Sequence, residues 1–183
     1  AQALRAGEVI RRLRAFVKNR EVRHERVDCR RVVEDSRLLL QADARSNNVQ
    51  LRLRVADSLP PIIADPVQLQ QVLINLVRNA IDASVDVPGA HREVILSANL
   101  DGDGMVEVAV ADHGHGLSTE AAERLFHPFF TTKPGGTGLG LVISSSIIRA
   151  HNGRIAYRST PGGGCTFFFT LPPLGVLPDI ESH

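Results

Sequence analysis

The chain of 183 residues has no tryptophan, one tyrosine, one methionine, two cysteines and only 4% aromatic residues. Cys29 and Cys165 stand far apart, which builds no disulfide framework and fits a reducing cytosol. No stretch approaches the ~20 apolar residues that a membrane helix needs. There is no charged-then-apolar leader, and the first residue is Ala1 rather than Met, so a piece of a longer protein is expected. Membrane span, secreted scaffold and fibrous protein are thereby set aside.

What is present is ordinary for a globular domain: 43% hydrophobic residues, 15 glycines and 10 prolines. The length suits one domain with something attached. Net charge is +1, but residues 1–54 carry 14 basic and 7 acidic side chains while the rest carry 7 and 13. A basic arm can mean nucleic acid. Here the arginines interleave with glutamates, and Phe16 is the lone aromatic among them, so the pattern reads as the solvated face of a helix. No nucleic-acid partner is expected.

Residues 3–20 carry a narrow apolar seam, Ala6, Val9, Leu13 and Phe16, which wants a partner helix. Asp28 caps a second helix over about 29–45, with Val32, Val33, Leu39 and Leu40 facing inward. Val49, Leu51, Leu53 and Val55 then alternate with polar residues as a strand. Ile62-Ile63-Ala64 forms a short second one. Asp65-Pro66 starts an apolar helix to about Ser84, closed by Val87-Pro88-Gly89. Residues 94–100 and 105–110 form a hairpin, and a short helix lies near 119–125. A helix over 139–150 ends with Gly153 as its cap, and residues 154–158 and 165–171 pair last.

Three places carry chemistry. On the helix from Pro66, the polar residues Gln71, Asn75, Asn79 and Asp82 make one stripe, and an asparagine oxygen suits Mg²⁺ as well as it suits water. At 112–116, Asp-His-Gly-His-Gly leaves a strand; the aspartate can accept from an exocyclic amine, or the segment is a plain turn. At 135–141, Gly-Gly-Thr-Gly-Leu-Gly-Leu enters a helix, a backbone cradle for phosphates. It lacks the Gly-Lys-Ser/Thr of a P-loop and the third glycine of the dinucleotide fingerprint. Lys133, the lone lysine after Lys18, stands just upstream. Asp101-Gly102-Asp103-Gly104 lacks the other ligands of a calcium loop, and His113 with His115 lacks a third zinc ligand.

The order of these segments is more telling than any one of them. Asn-Leu-Val-Arg-Asn-Ala at 75–80, Asp-His-Gly-His-Gly at 112–116, Phe-His-Pro-Phe-Phe at 126–130 and Gly-Thr-Gly-Leu-Gly-Leu at 136–141 resemble the N, G1, F and G2 boxes of sensor histidine kinases. Residues 164–172 resemble that family's final strand. The short lid resembles the nitrogen-regulation and oxygen-sensing type.

The resemblance implies a two-layer α/β sandwich of the histidine-kinase, gyrase and chaperone ATPase type. It has a mixed sheet of about five strands under three main helices, with an N-terminal helix. It divides the chain into residues 1–21, the end of the second dimerisation-hairpin helix, residues 22–173, the ATP-binding catalytic domain, and a flexible tail over 174–183. ATP and Mg²⁺ are the implied cofactors. Asn79 would ligate Mg²⁺, with Asn75 near the phosphates, and Asp112 would accept from adenine with Gly114 and Gly116 shaping its pocket. Lys133 would approach the terminal phosphates, with Gly136, Thr137, Gly138, Leu139, Gly140 and Leu141 as the phosphate-side lid. Thr166 would line the adenine side. Asp82 departs from the pattern, since many relatives carry lysine there.

Hydrolysing members of the superfamily carry a glutamate one turn before the metal-binding asparagine; here it is Asn75, a poor base. Phosphoryl transfer to a separate acceptor is therefore favoured over hydrolysis, with a nucleotide-binding module that has lost transfer as the alternative. His24-Glu25 echoes only two letters of the acceptor motif and reads as a surface histidine. The implied partners are the protein's own hairpin, a response-regulator receiver domain and a second copy in a full-length homodimer. The implied location is the cytoplasm, with any membrane anchor of the parent protein outside this segment.

Overall fold

The computed structural model describes residues 23–85, 92–133 and 135–175. The helix expected over 3–20, the stop at 87–89 and the chain beyond 175 lie outside the described residues.

Helix α1 (Cys29–Ser46) starts where Asp28 accepts the Arg30 backbone N–H at 2.9 Å. Its buried stripe runs Cys29, Val32, Val33, Ser36, Leu40 and Ala44. Leu39, expected inside, is 60% exposed. One residue turns the helix by about 100°, so the face that holds Leu40 cannot also hold Leu39. Ser36 completes the stripe, its hydroxyl donating back to the Val32 carbonyl at 2.7 Å.

Five strands form the main sheet in the order β2 (Gln50–Val55), β4 (Glu93–Leu100), β5 (Val106–Asp112), β7 (Cys165–Leu171), β6 (Arg154–Ser159). Only β2 and β4 are parallel, with Leu51 opposite Val94; the other pairs are antiparallel. A second, two-stranded sheet pairs β1 (Glu25–Val27) with β3 (Ile62–Ala64), Arg26 opposite Ile63. β3 is as short but wholly apolar; β1, Glu-Arg-Val, has two charged residues and one apolar one, and it escaped the sequence reading for that reason.

Helix α2 (Pro66–Ser84) lies between α1 and α4 (Gly140–Ala150) and against β4 and β5. Asp65 caps it, accepting from Val67 N at 2.9 Å and Gln68 N at 3.2 Å, with Pro66 at the first helical position. Its apolar face (Leu69, Val72, Leu73, Leu76, Val77, Ile81) is fully enclosed and meets Leu96, Val108 and Phe169 of the sheet in one core. Each such side chain contributes roughly 1.5–3 kcal/mol on burial. That investment fixes α2, and so fixes its polar stripe.

α4 ends differently from expectation. Asn152, not Gly153, takes the left-handed backbone, with φ of 57°. Gly153 N donates to the Ile148 carbonyl at 2.9 Å, and a side chain at 153 would strike the Thr170 carbonyl. Glycine is needed there for space rather than for dihedral freedom. At the far end, Ile62 bridges to Pro173 and Leu174 N donates to Pro61 O at 2.7 Å. Among the described residues no helix is long and apolar enough to cross a membrane.

Candidate functional site

Between α2, the end of β5, the 126–139 loop and the start of α4 lies an open cavity of about 1200 Å³. Of the residues singled out from the sequence, Asn75, Asn79, Asp112, Gly116, Lys133, Gly136, Thr137, Gly138, Gly140 and Leu141 line it together. Three do not. Gly114 packs on the Ala83 backbone of α2, where a Cβ would overlap it. Leu139 turns inward, 6% exposed, as the first residue before α4. Thr166 has its hydroxyl 2.8 Å from that of Thr160, while Cys165 and Phe167 on either side line the cavity. Strand alternation sends neighbours to opposite faces, so Thr166 cannot share theirs.

Asp112 is the buried carboxylate of the wall, 2% exposed at the end of β5. Its Oδ1 accepts from Gly114 N at 2.8 Å and from Cys165 N at 3.2 Å. No described residue donates to Oδ2, which leaves that oxygen for a ligand's N–H. Burial pushes the Asp112 carboxyl above its ordinary value, against the pull of those two backbone N–H groups and of His115 and His113. Gly164, at φ 96°, passes so close to the Asp112 carbonyl that no side chain fits.

Across the cavity α2 and α4 meet at Asn75. Its Nδ2 donates to Ser144 Oγ at 3.0 Å, and its Oδ1 lies where a Cβ on Gly140 would stand. Ser144, 1% exposed, was not anticipated; its place one turn into the helix after the glycine run is the only hint in the sequence. The other three described helices, α1, α2 and the short α3 (Thr119–Arg124), have a side-chain N-cap (Asp28, Asp65 and Ser118), but α4 has none. Its first residues, Gly140 and Leu141, line the cavity, and an uncapped helix N-terminus is a favourable place for anionic oxygen.

The loop before α4 is drawn tight. Gly136 N donates to Lys133 O at 3.1 Å, and Phe129 N donates to Gly138 O at 3.1 Å. Phe129 and Gly138 both have positive φ, 65° and 64°, and Gly138 rests on the Phe129 backbone. A bulky residue held this way is rare outside functional segments. Lys133 Nζ reaches α2, donating to Asn79 Oδ1 at 3.0 Å and Asp82 Oδ2 at 2.7 Å. A cation thus already stands on the Asn79 oxygen, and the surrounding donors are hard oxygens. This donor set fits Mg²⁺. His24 is exposed at the surface with its ring 5.6 Å from that of His151, and it is not among the residues that line the cavity.

Comparison with known proteins gives a consistent picture. Residues 64–175 match the family described as histidine kinase-, DNA gyrase B-, and HSP90-like ATPase. The sensor protein FixL of Bradyrhizobium diazoefficiens is 45% identical over 171 residues, 93% of this chain and 34% of FixL. Full-length ShkA, solved in complex with AMPPNP, is 31% identical with a TM-score of 0.73, covering 84% of this chain and 32% of ShkA. Histidine kinase ThkA, solved with the response regulator protein TrrA, is 26% identical with a TM-score of 0.75, covering 94% of this chain and 48% of ThkA. The chain spans about a third of the length of FixL.

Proposed function

Because this chain belongs to the histidine kinase-, DNA gyrase B-, and HSP90-like ATPase family, we propose that it is the ATP-binding catalytic domain of a sensor histidine kinase. It passes the γ-phosphate of ATP to a histidine on a dimerisation hairpin, for relay to a response regulator. The observation that carries this reading is the pairing of Asp112 and Asn75 across one cavity. Asp112 offers a buried acceptor for an adenine amine. Asn75, where hydrolysing relatives hold a glutamate, is an amide fixed on Ser144 and takes no proton from water.

Each residue has a task. Asp112 Oδ2 accepts from adenine, and Gly116, on the cavity wall, lets the ring come close. The first N–H groups of α4 and the Gly136–Leu141 backbone donate to the phosphates. Lys133 approaches the terminal phosphate, and Asn79 would hold Mg²⁺. When bound, that ion offsets charge on the phosphate oxygens. The acceptor imidazole nitrogen attacks in line, its bond to phosphorus forms as the bond to the β-phosphate oxygen breaks, ADP leaves and the imidazole proton passes to solvent.

The partners follow from this role: the protein's own hairpin, a receiver domain and a second copy of the full-length chain. The ThkA complex with TrrA supports a response-regulator partner. Residues 22–173 are the catalytic unit, 174–183 a tail, and the setting is cytoplasmic.

Calorimetric titration with ADP and ATP, with and without Mg²⁺, tests the reading. Wild type binds both nucleotides, more tightly with Mg²⁺. Asp112→Ala loses about 1–3 kcal/mol of binding in either condition, and Asn79→Ala loses chiefly the Mg²⁺ dependence. Equal binding by wild type and Asp112→Ala contradicts it.

A further inference from the structure

The contact between Lys133 and α2 joins three groups of the cavity rim in one arrangement. Asn79 and Asp82 are three residues apart on α2, so their side chains share a face. An amide oxygen and a carboxylate oxygen converge on one ammonium, at 3.0 and 2.7 Å. The Asp82 and Lys133 side chains are 55% and 37% exposed, so ions reach the pair from solvent. An ion pair this open adds little to stability. The lysine, moreover, comes from the lid: its own N–H donates to Thr131 Oγ1 at 3.1 Å, and its carbonyl accepts from Gly136.

We propose that Asn79 and Asp82 form a single cation platform that the Lys133 ammonium occupies when metal is absent, and from which a divalent metal displaces it. This deepens the proposed function and rests on it. Asp82 is then a metal-facing residue in its own right, the carboxylate that hard divalent ions favour beside a neutral amide oxygen. The platform carries one negative charge. It balances one ammonium, but it does not hold an ammonium and a dication side by side, because two like charges a few ångströms apart repel strongly. Metal entry therefore frees Lys133, whose stem is long enough to turn to the phosphates. By reciprocity, whatever draws Lys133 away also tightens metal binding. Where relatives carry lysine at position 82, the cation belongs to the helix; here the helix carries the anion, and the cation arrives from the loop before α4.

Mn²⁺ is the probe, with free ion counted by electron paramagnetic resonance, using the whole chain both without nucleotide and with ADP. Asp82→Asn weakens Mn²⁺ binding at least tenfold in both states. Lys133→Met, which removes the resident cation, strengthens Mn²⁺ binding by the nucleotide-free chain several-fold. The double variant loses that gain. ADP affinity in EDTA is read in parallel to separate the two claims. Normal ADP binding with unchanged Mn²⁺ affinity in both single variants overturns the exchange and leaves the nucleotide reading standing. Absent ADP binding contradicts that reading instead, and the nucleotide-free Mn²⁺ series still decides the platform. Weaker or undetectable Mn²⁺ binding by Lys133→Met also overturns it.

Discussion

His151 Nε2 accepts the backbone N–H of Asp65 at 2.9 Å, across 86 positions of sequence. The donor there is an amide, so Nε2 is the unprotonated nitrogen, and Nδ1–H donates to the Ile147 carbonyl at 2.8 Å. The ring, 2% exposed, ties the end of α4 to the cap of α2, and these helices are the two walls of the cavity.

His151→Ala leaves the Asp65 N–H without its partner and opens a void. We expect a loss of about 2 kcal/mol and a fall in Tm of about 4–8 °C. His151→Gln, which retains an acceptor, recovers part of it. Thermal unfolding followed by circular dichroism checks this, and an unchanged Tm for His151→Ala contradicts the clamp.

Asp112 sets affinity against stability. Its folded pKa lies above the ordinary value because of burial. Its contribution to stability is therefore fully present at pH below the unfolded carboxylate value and is lost as pH rises through the raised folded value. Asp112→Asn removes that titration. The variant gains on wild type as pH climbs through this window. It also turns a donor toward adenine's own donor, so ADP affinity falls. Urea unfolding at several pH values, paired with ADP titration, measures both. A variant that loses stability relative to wild type as pH rises contradicts the assignment.

The lid has a backbone requirement at Gly138, where φ is 64° and a Cβ would overlap the Phe129 backbone. Gly138→Ala incurs roughly 1–2 kcal/mol of left-handed strain in addition to that overlap. In wild type, an ATP analogue should slow hydrogen exchange over 131–140, and in the variant that protection is largely lost. Protection confined to β5 in wild type contradicts the phosphate-cradle reading.

Both thiols are quiet by environment. Burial, then the charge of Asp28, pushes Cys29 up to about 12, and burial, then Asp112, does the same for Cys165. At pH 8 the thiolate fraction is on the order of 10⁻⁴. Alkylation of the native chain is expected to be slow, and nucleotide should slow it further at Cys165 alone, since Cys165 lines the cavity. Mass spectrometry of iodoacetamide-treated protein reads both sites; rapid labelling of either contradicts the burial argument.

Much of this was legible in the sequence because the motifs are local. The Asp65-Pro66 cap, the Asn75–Asn79 spacing and the glycine run before α4 each specify geometry within a turn or two. The long strands were legible by alternation. What escaped depends on contacts between distant segments: Ser144 under Asn75, His151 under Asp65, and Lys133 on Asp82. Leu39 and Gly153 were misplaced by one residue, which on a helix is a change of face or of cap. Thr166 was read from a motif, while its direction is set by the pleat of β7.

The central claim is that this domain transfers phosphate to a histidine supplied by another segment and does not give it to water. Incubation with γ-labelled ATP, alone and then with a separately expressed dimerisation hairpin carrying the acceptor histidine, tests it most directly. The account predicts no label on the domain, slow phosphate release, and an acid-labile label on the hairpin that accumulates slowly because the two are untethered. Label on the domain alone, or brisk phosphate release without any acceptor, would contradict it.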